Sequence, residues 1–267
     1  MSLPTSMRKR GIWTRTNAGI GYITTGTVSG ITDGKPDISM IKHLIHRLAC
    51  WLHIRRRMFI VPQEGKEHAV RISYAITVCN EAEQLKSLLE FLQPYVQAGD
   101  EIVVQADQAN VSDAVREVVK AHPGARYAEH ELRFDFAQTK NHLNGQCHGD
   151  WIFQLDADER PSSFLMSHLK SILCANTDCE LIKLPRLNMF VREGEEVEES
   201  HVTWPDYQGR LYRNIPQRIQ WHRPLHEKIQ GYKAYTYLPK DDRYAILHIK
   251  DKEQDRQKWQ TWKEHYR

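Results

Sequence analysis

Residues 149–161 constrain the fold of this chain more than any other stretch. Trp151–Leu155 is apolar enough to be a buried strand, and it runs directly into Asp156, Asp158 and Glu159. Because carboxylates do not fit inside a sheet, the strand must leave the sheet at this point. Asp156 and Asp158 point the same way in an extended backbone, and such a pair repels itself unless a cation lies between its members. Either these acids are solvated at a strand end, or they hold a hydrated divalent ion that also binds a diphosphate.

The segments around this stretch alternate between strand and helix patterns. Predicted strands at Ile72–Cys79, Glu101–Ala106, Ala125–Glu129 and Trp151–Leu155 are separated by predicted helices at Ala82–Val96, Asn110–Ala121 and Asp135–Cys147. Pro161 and the two serines after it favour the start of a further helix. This order is typical of an α/β fold, Rossmann-like, in which helices cover both faces of a mostly parallel sheet.

Polar side chains follow three of the four predicted strands. Asn80 and Glu81 follow the first, Asp107 follows the second, and the pair Asp156 and Asp158 follows the fourth. Ligands of such sheets bind beyond the carboxyl ends of the strands, so we expect these groups to share one site. No glycine-rich turn follows the first strand, which excludes the dinucleotide fingerprint and the P-loop.

The second half of the chain is predicted to add strands and an exposed loop. Leu181–Val191 and Tyr244–Lys250 have strand patterns, and Asp251–Arg267 has the pattern of a charged helix. Arg192–Ser200 is rich in glutamate, and it is predicted to be either a lid over a bound ligand or a solvated loop.

The first seventy residues are much more basic than the rest. They carry eleven Lys and Arg against four Asp and Glu, while the whole chain has a net charge of +3. Residues 1–37 are predicted to be an irregular or disordered arm, residues 38–68 a basic amphipathic helix with a polar linker, and residues 69–267 the main domain. The basic segment over residues 38–57 suits an anionic membrane surface, packing on the main domain, or, less well, the phosphates of a nucleic acid.

The five cysteines indicate the compartment. Their number is odd and they are scattered, so they do not form a disulfide framework. We therefore expect a reducing, cytoplasmic environment, with at most peripheral attachment to the inner face of a membrane. No apolar run approaches the ~20 residues of a membrane span, and the first thirty residues lack the apolar core of a signal peptide.

Four motifs, in their order and spacing, resemble those of family-two glycosyltransferases of the GT-A fold. They are Tyr74–Glu81, the strand ending at Asp107, Asp135–Asn141 and Trp151–Glu159. The resemblance covers about residues 71–250. It implies a nucleotide-diphosphate-sugar donor, Mn²⁺ or Mg²⁺ as cofactor, and inversion at the transferred sugar.

The resemblance also implies roles for residues at the predicted sheet edge. The residues implied in donor binding are Thr77, Asn80, Glu81, Asp107, Lys140, Asp156 and Arg210. The first three would lie near the nucleoside, Asp107 at the base or ribose, and Lys140 close to the nucleotide. Asp158 would be the main metal ligand, with Asp156 assisting. A metal held in this way neutralises the charge that develops on the leaving diphosphate.

The acceptor side is implied by two segments dense in reactive groups, Trp204–Arg213 and Trp221–Glu227. His226 would be a third metal ligand or a diphosphate contact. Glu227, or less surely Asp206, would be the general base that takes the proton of the acceptor. The Glu-Asp base motif common in the family is not evident here.

Three further side chains have two interpretations each. Arg210 and Arg213 either brace the diphosphate or pair with nearby acids. His248, on the last predicted strand, either approaches the metal or fills a structural position.

The resemblance leads us to expect a metal-dependent glycosyltransferase. The basic segment suggests a lipid-linked glycan or a lipopolysaccharide or other cell-surface polysaccharide as acceptor. One alternative is transfer to modified DNA bases or to a protein. Another is a non-catalytic module that binds nucleotide or glycan on the same scaffold, which the intact Asp-x-Asp pair disfavours.

Overall fold

A mixed β-sheet forms the centre of the molecule, and the computed structural model describes residues 55–63, 70–191, 198–199 and 204–251. The strands are β1 (Arg55–Arg56), β2 (Ile72–Val78), β3 (Glu101–Asp107), β4 (Ala125–His130), β5 (Trp151–Asp156), β6 (Glu159–Pro161), β7 (Leu181–Val191), β8 (Glu198–Glu199), β9 (Asp206–Arg213), β10 (Gln220–His222), β11 (Lys228–Gln230), β12 (Ala234–Tyr237) and β13 (Ile246–Asp251). The helices are α1 (Ala82–Leu92), α2 (Asp113–Lys120), α3 (Phe136–Asn144) and α4 (Ser163–Ala175), with 3₁₀ turns at Gln93–Tyr95 and Asp242–Tyr244.

The sheet is mostly parallel, as the alternation of elements predicts. Its strand order is β1-β12-β7-β9-β5-β2-β3-β4, and β13, β6 and β8 pair beside this path. Strands β2, β3, β4 and β5 are parallel to one another, whereas β9 runs antiparallel between β5 and β7. Because β2, β3 and β5 are parallel neighbours, their carboxyl ends meet at one edge.

Helices cover both faces of the sheet, which confirms that part of the prediction. Helices α1, α2 and α4 pack on the face that carries Tyr74, Phe153 and Leu155. Helix α3 and the hairpin of β10 and β11 pack on the other face, against Ala75 and Ile152. The strands between these layers are almost completely buried, which explains their continuous apolar character.

Local sequence sets the helix boundaries that differ from the prediction. The helix predicted to Val96 ends at Leu92 and tightens into a 3₁₀ turn that contains Pro94. The helix predicted from Asn110 begins at Asp113, because the hydroxyl of Ser112 accepts a hydrogen bond from the Val115 N–H and caps it.

A glycine fixes where β5 enters the sheet. A Cβ atom added to Gly149 would lie 2.6 Å from the backbone nitrogen of Ser73, so no other residue fits there without moving β2. This close approach sets the register that places Thr77 beside Asp156.

The strands of the second half build a platform beside β5. The first half of β7 pairs with β9 and β12, and its second half pairs with β13. The prediction for Leu181–Val191 is confirmed, and the last predicted strand is observed as β13. Within the predicted loop Arg192–Ser200, residues 198–199 form β8 on β7, and its other residues lie outside the described ranges.

Residues 55–63 pack on the main body ahead of the predicted boundary at residue 69. The Arg55 N–H donates to the Lys233 carbonyl at 2.9 Å, and the Arg57 N–H donates to the Tyr235 carbonyl at 2.8 Å. Arg55 and Arg56 are therefore an edge strand parallel to β12, not part of a helix, because β12 satisfies the backbone hydrogen bonds. The side-chain amide of Asn176 also bonds both backbone groups of Ile60.

Other predictions concern parts of the chain outside the described residues. These are the irregular arm over 1–37, the basic helix over 38–54, most of the predicted linker, and the charged helix over 252–267. Among the described helices, none combines the length and apolar character needed to cross a bilayer.

Candidate active site

Asp156 lies at the carboxyl end of β5 and is held from three sides. Thr77, opposite it on β2, donates its hydroxyl to Oδ1 at 2.7 Å. Arg210, on β9, donates to Oδ2, and the Lys140 ammonium lies 3.5 Å from Oδ1. Burial alone would raise the pKa of Asp156, but the charges of Arg210 and Lys140 outweigh it and hold the pKa well below its usual range. Asp156 is therefore a permanent anion bound to protein cations.

Asp158 faces an imidazole. His248, on β13, brings Nε2 to 3.2 Å from Asp158 Oδ2. Its Nδ1 lies 2.8 Å from the side-chain oxygen of Asn188, and the Asn188 amide donates to Asp206 at 2.9 Å. The Asn188 oxygen therefore accepts from Nδ1–H, so Nε2 is the ring nitrogen that faces the Asp158 carboxylate. A carboxylate oxygen and an imidazole nitrogen that face each other at 3.2 Å can share a proton or, without that proton, hold a cation together.

Glu159 lies behind this pair and joins two arginines. Its side chain is fully buried, and Oε1 accepts from Arg210 at 2.6 Å and from Arg186 at 3.2 Å. The other oxygen accepts the Asp156 N–H at 3.2 Å. Glu159 is thus the centre of a charged network that fixes the backbone between the two aspartates.

Asp206 belongs to the same network. Oδ2 accepts from Arg186 and Asn188, and Oδ1 accepts from the Gln208 amide at 2.6 Å. Burial would raise the pKa of Asp206, but the charge of Arg186 and these hydrogen bonds lower it. A carboxylate so well satisfied is a weak proton acceptor, which disfavours the predicted role of Asp206 as base.

Lys140 connects the donor side to Glu227. Its side chain is only 3 % exposed, it lies over the Trp221 ring at 4.9 Å, and Nζ is 2.6 Å from Glu227 Oε1. The Asn141 side chain exchanges two hydrogen bonds with the Trp221 backbone and so fixes α3 to β10. The Glu227 side chain is 18 % exposed, so it is accessible from the site.

The predicted nucleoside residues lie along the same edge. The Glu81 carboxylate accepts the N–H groups of Cys79 and Asn80 and orders the turn after β2. Asp107 accepts from the Leu132 N–H at 3.1 Å and from the Asn110 amide at 2.6 Å, so it holds two loops together. Their roles in binding a donor stay predictions.

Two predicted residues lie elsewhere than expected. Arg213 pairs in register with Trp151, at the opposite end of β5 from Asp156, and its guanidinium lies 4.5 Å from the Trp151 ring. It therefore does not brace a diphosphate at the Asp156 edge. His226 is exposed in the turn between β10 and β11, with φ of 54°, and the imidazole observed against Asp158 is that of His248.

Sequence reasoning missed Glu159, Arg186 and Asn188 as site residues. Glu159 follows the acid pair directly, so its position gave a signal, although nothing in the sequence names its arginine partners. Arg186 and Asn188 enter the site because β7 pairs with β9 and β13, a register that no local pattern encodes.

The ligands that the protein offers at this site fit a cation whose coordination shell they supply only in part. Within the described residues, no three His, Cys, Asp or Glu side chains enclose a metal-sized space. Asp158 Oδ2 and His248 Nε2 offer two ligands. Mg²⁺ and Mn²⁺ at phosphate-transfer and diphosphate sites typically take one or two protein ligands, completed by phosphate oxygens and water.

Glu101, at the opposite end of the sheet, is expected to make the stability of the fold depend on pH. Burial raises its pKa, but hydrogen bonds from Ser73, the His148 N–H and Arg126 bring it from 4.5 down to about 2. Since the folded state binds this proton less readily, Glu101 stabilises the fold above pH 4.5 and loses this effect as the pH falls toward 2.

We therefore expect Glu101→Gln to flatten the acid limb of the stability curve. The substitution should remove about 1–2 kcal/mol of the pH-dependent free energy of unfolding, after allowance for solvent screening. Urea unfolding between pH 2 and pH 6 measures this change. Glu83→Gln, an exposed position on α1, is the matched control. Parallel curves for wild type and Glu101→Gln would contradict this assignment.

Comparison with known proteins identifies the family. The sequence profile described as Glycosyl transferase family 2 matches residues 73–235, which contain β3, β4, β5 and all but the first residue of β2. The chain belongs to glycosyl transferase family 2. It is accordingly a glycosyltransferase of the GT-A fold, as the motifs predicted. No curated protein sequence gives a significant match to this glycosyltransferase.

Several solved structures are similar to this glycosyltransferase. Glucosyl-3-phosphoglycerate synthase from Mycobacterium tuberculosis, in complex with Mn²⁺, UDP and glucosyl-3-phosphoglycerate, is 19% identical with a TM-score of 0.37, covering 47% of this chain and 45% of its own. Residues 1–349 of S. aureus TarS are 12% identical with a TM-score of 0.46, covering 67% and 60%. The mannosyltransferase PcManGT from Pyrobaculum calidifontis, in complex with GDP-Man and Mn²⁺, is 16% identical with a TM-score of 0.48, covering 77% and 63%. The matched region is thus less than two thirds of each of these chains.

Proposed function

We propose that this glycosyltransferase moves a sugar from a nucleotide-diphosphate donor, bound with a divalent cation at the carboxyl ends of β2, β3 and β5, to a saccharide acceptor. The observation that carries the proposal is the pair formed by Asp158 and His248, whose Oδ2 and Nε2 atoms are 3.2 Å apart while Nδ1 is bonded to Asn188. Family membership supplies the reaction class, and this pair supplies a place for the cation.

The cation would be held by one oxygen and one nitrogen of the protein. Mg²⁺ prefers oxygen ligands alone, whereas Mn²⁺ accepts imidazole more readily, so the donor set favours Mn²⁺. When bound, the ion acts as a Lewis acid that neutralises the leaving diphosphate. Asp156 is not assigned this position, because the charges of Arg210 and Lys140 already neutralise its carboxylate and would repel a further cation.

Residues of the chain bind the donor and accept the proton of the acceptor. Arg210 and Lys140 keep Asp156 ionised and fixed, so that it can accept hydroxyls of the donor's ribose or sugar. Glu227 takes the proton of the acceptor hydroxyl, because Lys140 bonds its Oε1 and leaves Oε2 accessible through the exposed part of the side chain. A single displacement of this kind inverts the configuration at the sugar.

The basic segment over residues 38–57 bears on the acceptor and on the location. A lipid-linked glycan or a cell-surface polysaccharide such as lipopolysaccharide core, met at the cytoplasmic face of a membrane, fits the basic character of residues 38–57. DNA bases or a protein remain alternative acceptors, and a non-catalytic binding module remains the alternative class. Sedimentation with anionic vesicles, compared with retention on duplex DNA, separates the first two partners.

Donor binding provides the test of the proposed function. A thermal-shift screen of UDP-glucose, GDP-mannose and related nucleotide sugars should show a rise in melting temperature that requires Mn²⁺, because ligands of the folded state stabilise it by mass action. Mg²⁺ should support a smaller rise. No shift with any donor, and no donor hydrolysis, would contradict the proposal.

Replacing His248 tests the metal preference. We expect His248→Gln to weaken the apparent affinity for Mn²⁺ in the donor complex by about tenfold or more. The ratio of the affinity for Mn²⁺ to that for Mg²⁺ should also fall. His122→Gln, at the end of α2, is the matched control. Unchanged metal affinity in His248→Gln would remove His248 from the ligand set.

A further inference from the structure

Four tyrosines form a continuous strip on the platform side of the sheet. The Tyr207 and Tyr237 ring centroids are 4.7 Å apart, those of Tyr237 and Tyr235 are 5.6 Å apart, and those of Tyr235 and Tyr232 are 5.8 Å apart. Every pair meets edge to face, and every ring is partly exposed. We call this strip the tyrosine face. Along β12 its tyrosines alternate with buried residues, so the strip is the outer side of a strand whose inner side fills the core.

Three cations accompany the tyrosine face. The Arg56 guanidinium lies 4.9 Å from the Tyr237 ring, and the Lys183 ammonium lies 5.2 Å from the Tyr235 ring and 5.4 Å from the Tyr237 ring. Burial, and then the positive charge of nearby Lys228, lower the pKa of Lys183. Lys183 is thus partly desolvated and close to a like charge, an arrangement that a bound anion would relieve.

These cations differ from those elsewhere on the surface. Within the described ranges no ion pair joins Arg56, Lys183 or Lys228 to a carboxylate. By contrast, the described surface arginines are commonly paired, as in Arg71 with Asp150 and Arg218 with Glu180. Positive charge without internal acids is the electrostatic complement of an anionic ligand.

The tyrosine face lies on the side of the sheet that carries the β10–β11 hairpin, because Tyr232 and Tyr235 pack on the same cluster as Ile229 of β11. Lys228 directly follows Glu227 at the start of β11, and Tyr207 extends the strip onto β9. Tyr237, within the strip, lines a cleft of about 360 Å³ at the edge formed by β1 and β12. A molecule that presents a hydroxyl to Glu227 would continue along this strip.

We propose that the tyrosine face binds the acceptor, and that the acceptor is an acidic saccharide carrying carboxylate or phosphate groups. This inference rests on the proposed function. Aromatic rings pack against the apolar faces of sugar rings, and cations beside them bind the acidic substituents. A neutral glycan would leave Lys183 and its neighbours without partners.

Charge favours a saccharide over a nucleic acid as the occupant. Residues 71–267 carry 26 Lys and Arg against 30 Asp and Glu, so the body of the chain is acidic apart from this local group. A nucleic acid presents a phosphate at every nucleotide and is bound mainly through many phosphate contacts. Edge-to-face packing also leaves no gap between neighbouring rings into which a base could insert. Scattered acidic groups on a sugar chain need only the few cations observed.

The test measures binding of three labelled probes by the full chain. The probes are a galacturonate hexamer, maltohexaose and a single-stranded dT oligonucleotide, followed by fluorescence anisotropy at two salt concentrations. We expect the galacturonate hexamer to bind more tightly than maltohexaose and to lose affinity as salt rises. Lys183→Gln should weaken its binding about tenfold, and Tyr237→Leu should weaken it by a similar factor. Lys86→Gln, which removes an exposed lysine on α1, should change it less than about twofold.

The outcomes separate this inference from the proposed function. Equal galacturonate binding in wild type and Lys183→Gln would overturn it, and so would tighter oligonucleotide binding that both variants abolish. The Mn²⁺-dependent shift with nucleotide sugars is recorded for each variant and confirms that it is folded. If wild type gives no such shift with any donor yet binds galacturonate through Lys183, the donor site fails while the acidic-saccharide surface stands.

Discussion

Asp158→Asn is expected to lower sugar transfer and donor hydrolysis by about a thousandfold or more. The substitution keeps the shape of the side chain but removes the negative charge that faces His248 Nε2. Without that charge the site loses its anionic ligand for the cation, and the leaving diphosphate loses the neutralisation on which its departure depends. The rise in melting temperature with donor and Mn²⁺ should disappear in the same variant.

Two measurements make this expectation specific to the cation. Asp113→Asn, on α2, removes a carboxylate whose side chain is 96% exposed, and it should leave transfer unchanged. Asp158→Asn should still unfold cooperatively in urea, because Glu159 rather than Asp158 fixes the local network. An Asp158→Asn variant that hydrolyses donor as fast as wild type would show that the metal lies elsewhere.

The part of the site that the sequence predicted correctly is the part encoded locally. A buried strand that ends in acids must emerge from the sheet there, and β5 does so at Asp156. Parallel neighbours place their carboxyl ends together, which brings Thr77 to Asp156 without any further information. The sheet class and the helix-covered faces followed from the same alternation.

The rest of the site depends on long-range register. Whether His226 or His248 faces Asp158 depends on how β13 pairs with β7, and that pairing places His248 opposite Asn188. Arg210 and Arg213 are three residues apart on one strand, yet only Arg210 reaches Asp156, because β9 runs antiparallel to β5. The sequence shows both histidines and both arginines as candidates, but the strand register that selects one of each is not visible in it.

Removal of Glu159, which sequence reasoning missed as a site residue, is expected to cause the largest loss of stability. Glu159→Ala should lower the free energy of unfolding by about 3–5 kcal/mol, because it leaves the buried guanidinium of Arg210 and that of Arg186 without their shared carboxylate. Urea denaturation at neutral pH measures this loss directly. Glu159→Gln should cost less, since an amide oxygen can still accept from one arginine.

An exposed ion pair provides the control for the expected loss of stability in Glu159→Ala. Glu117 and Lys120 form an ion pair at 3.5 Å with both side chains more than 70% exposed, so Glu117→Ala should cost less than about 0.5 kcal/mol. A similarly small cost for Glu159→Ala would mean that water or the acids at Asp156 and Asp206 neutralise the two arginines without help. In that case the rigid spacing between Asp156 and Asp158 would need another origin. A large cost together with weaker donor binding would instead tie the position of the cation to a carboxylate that itself never contacts it.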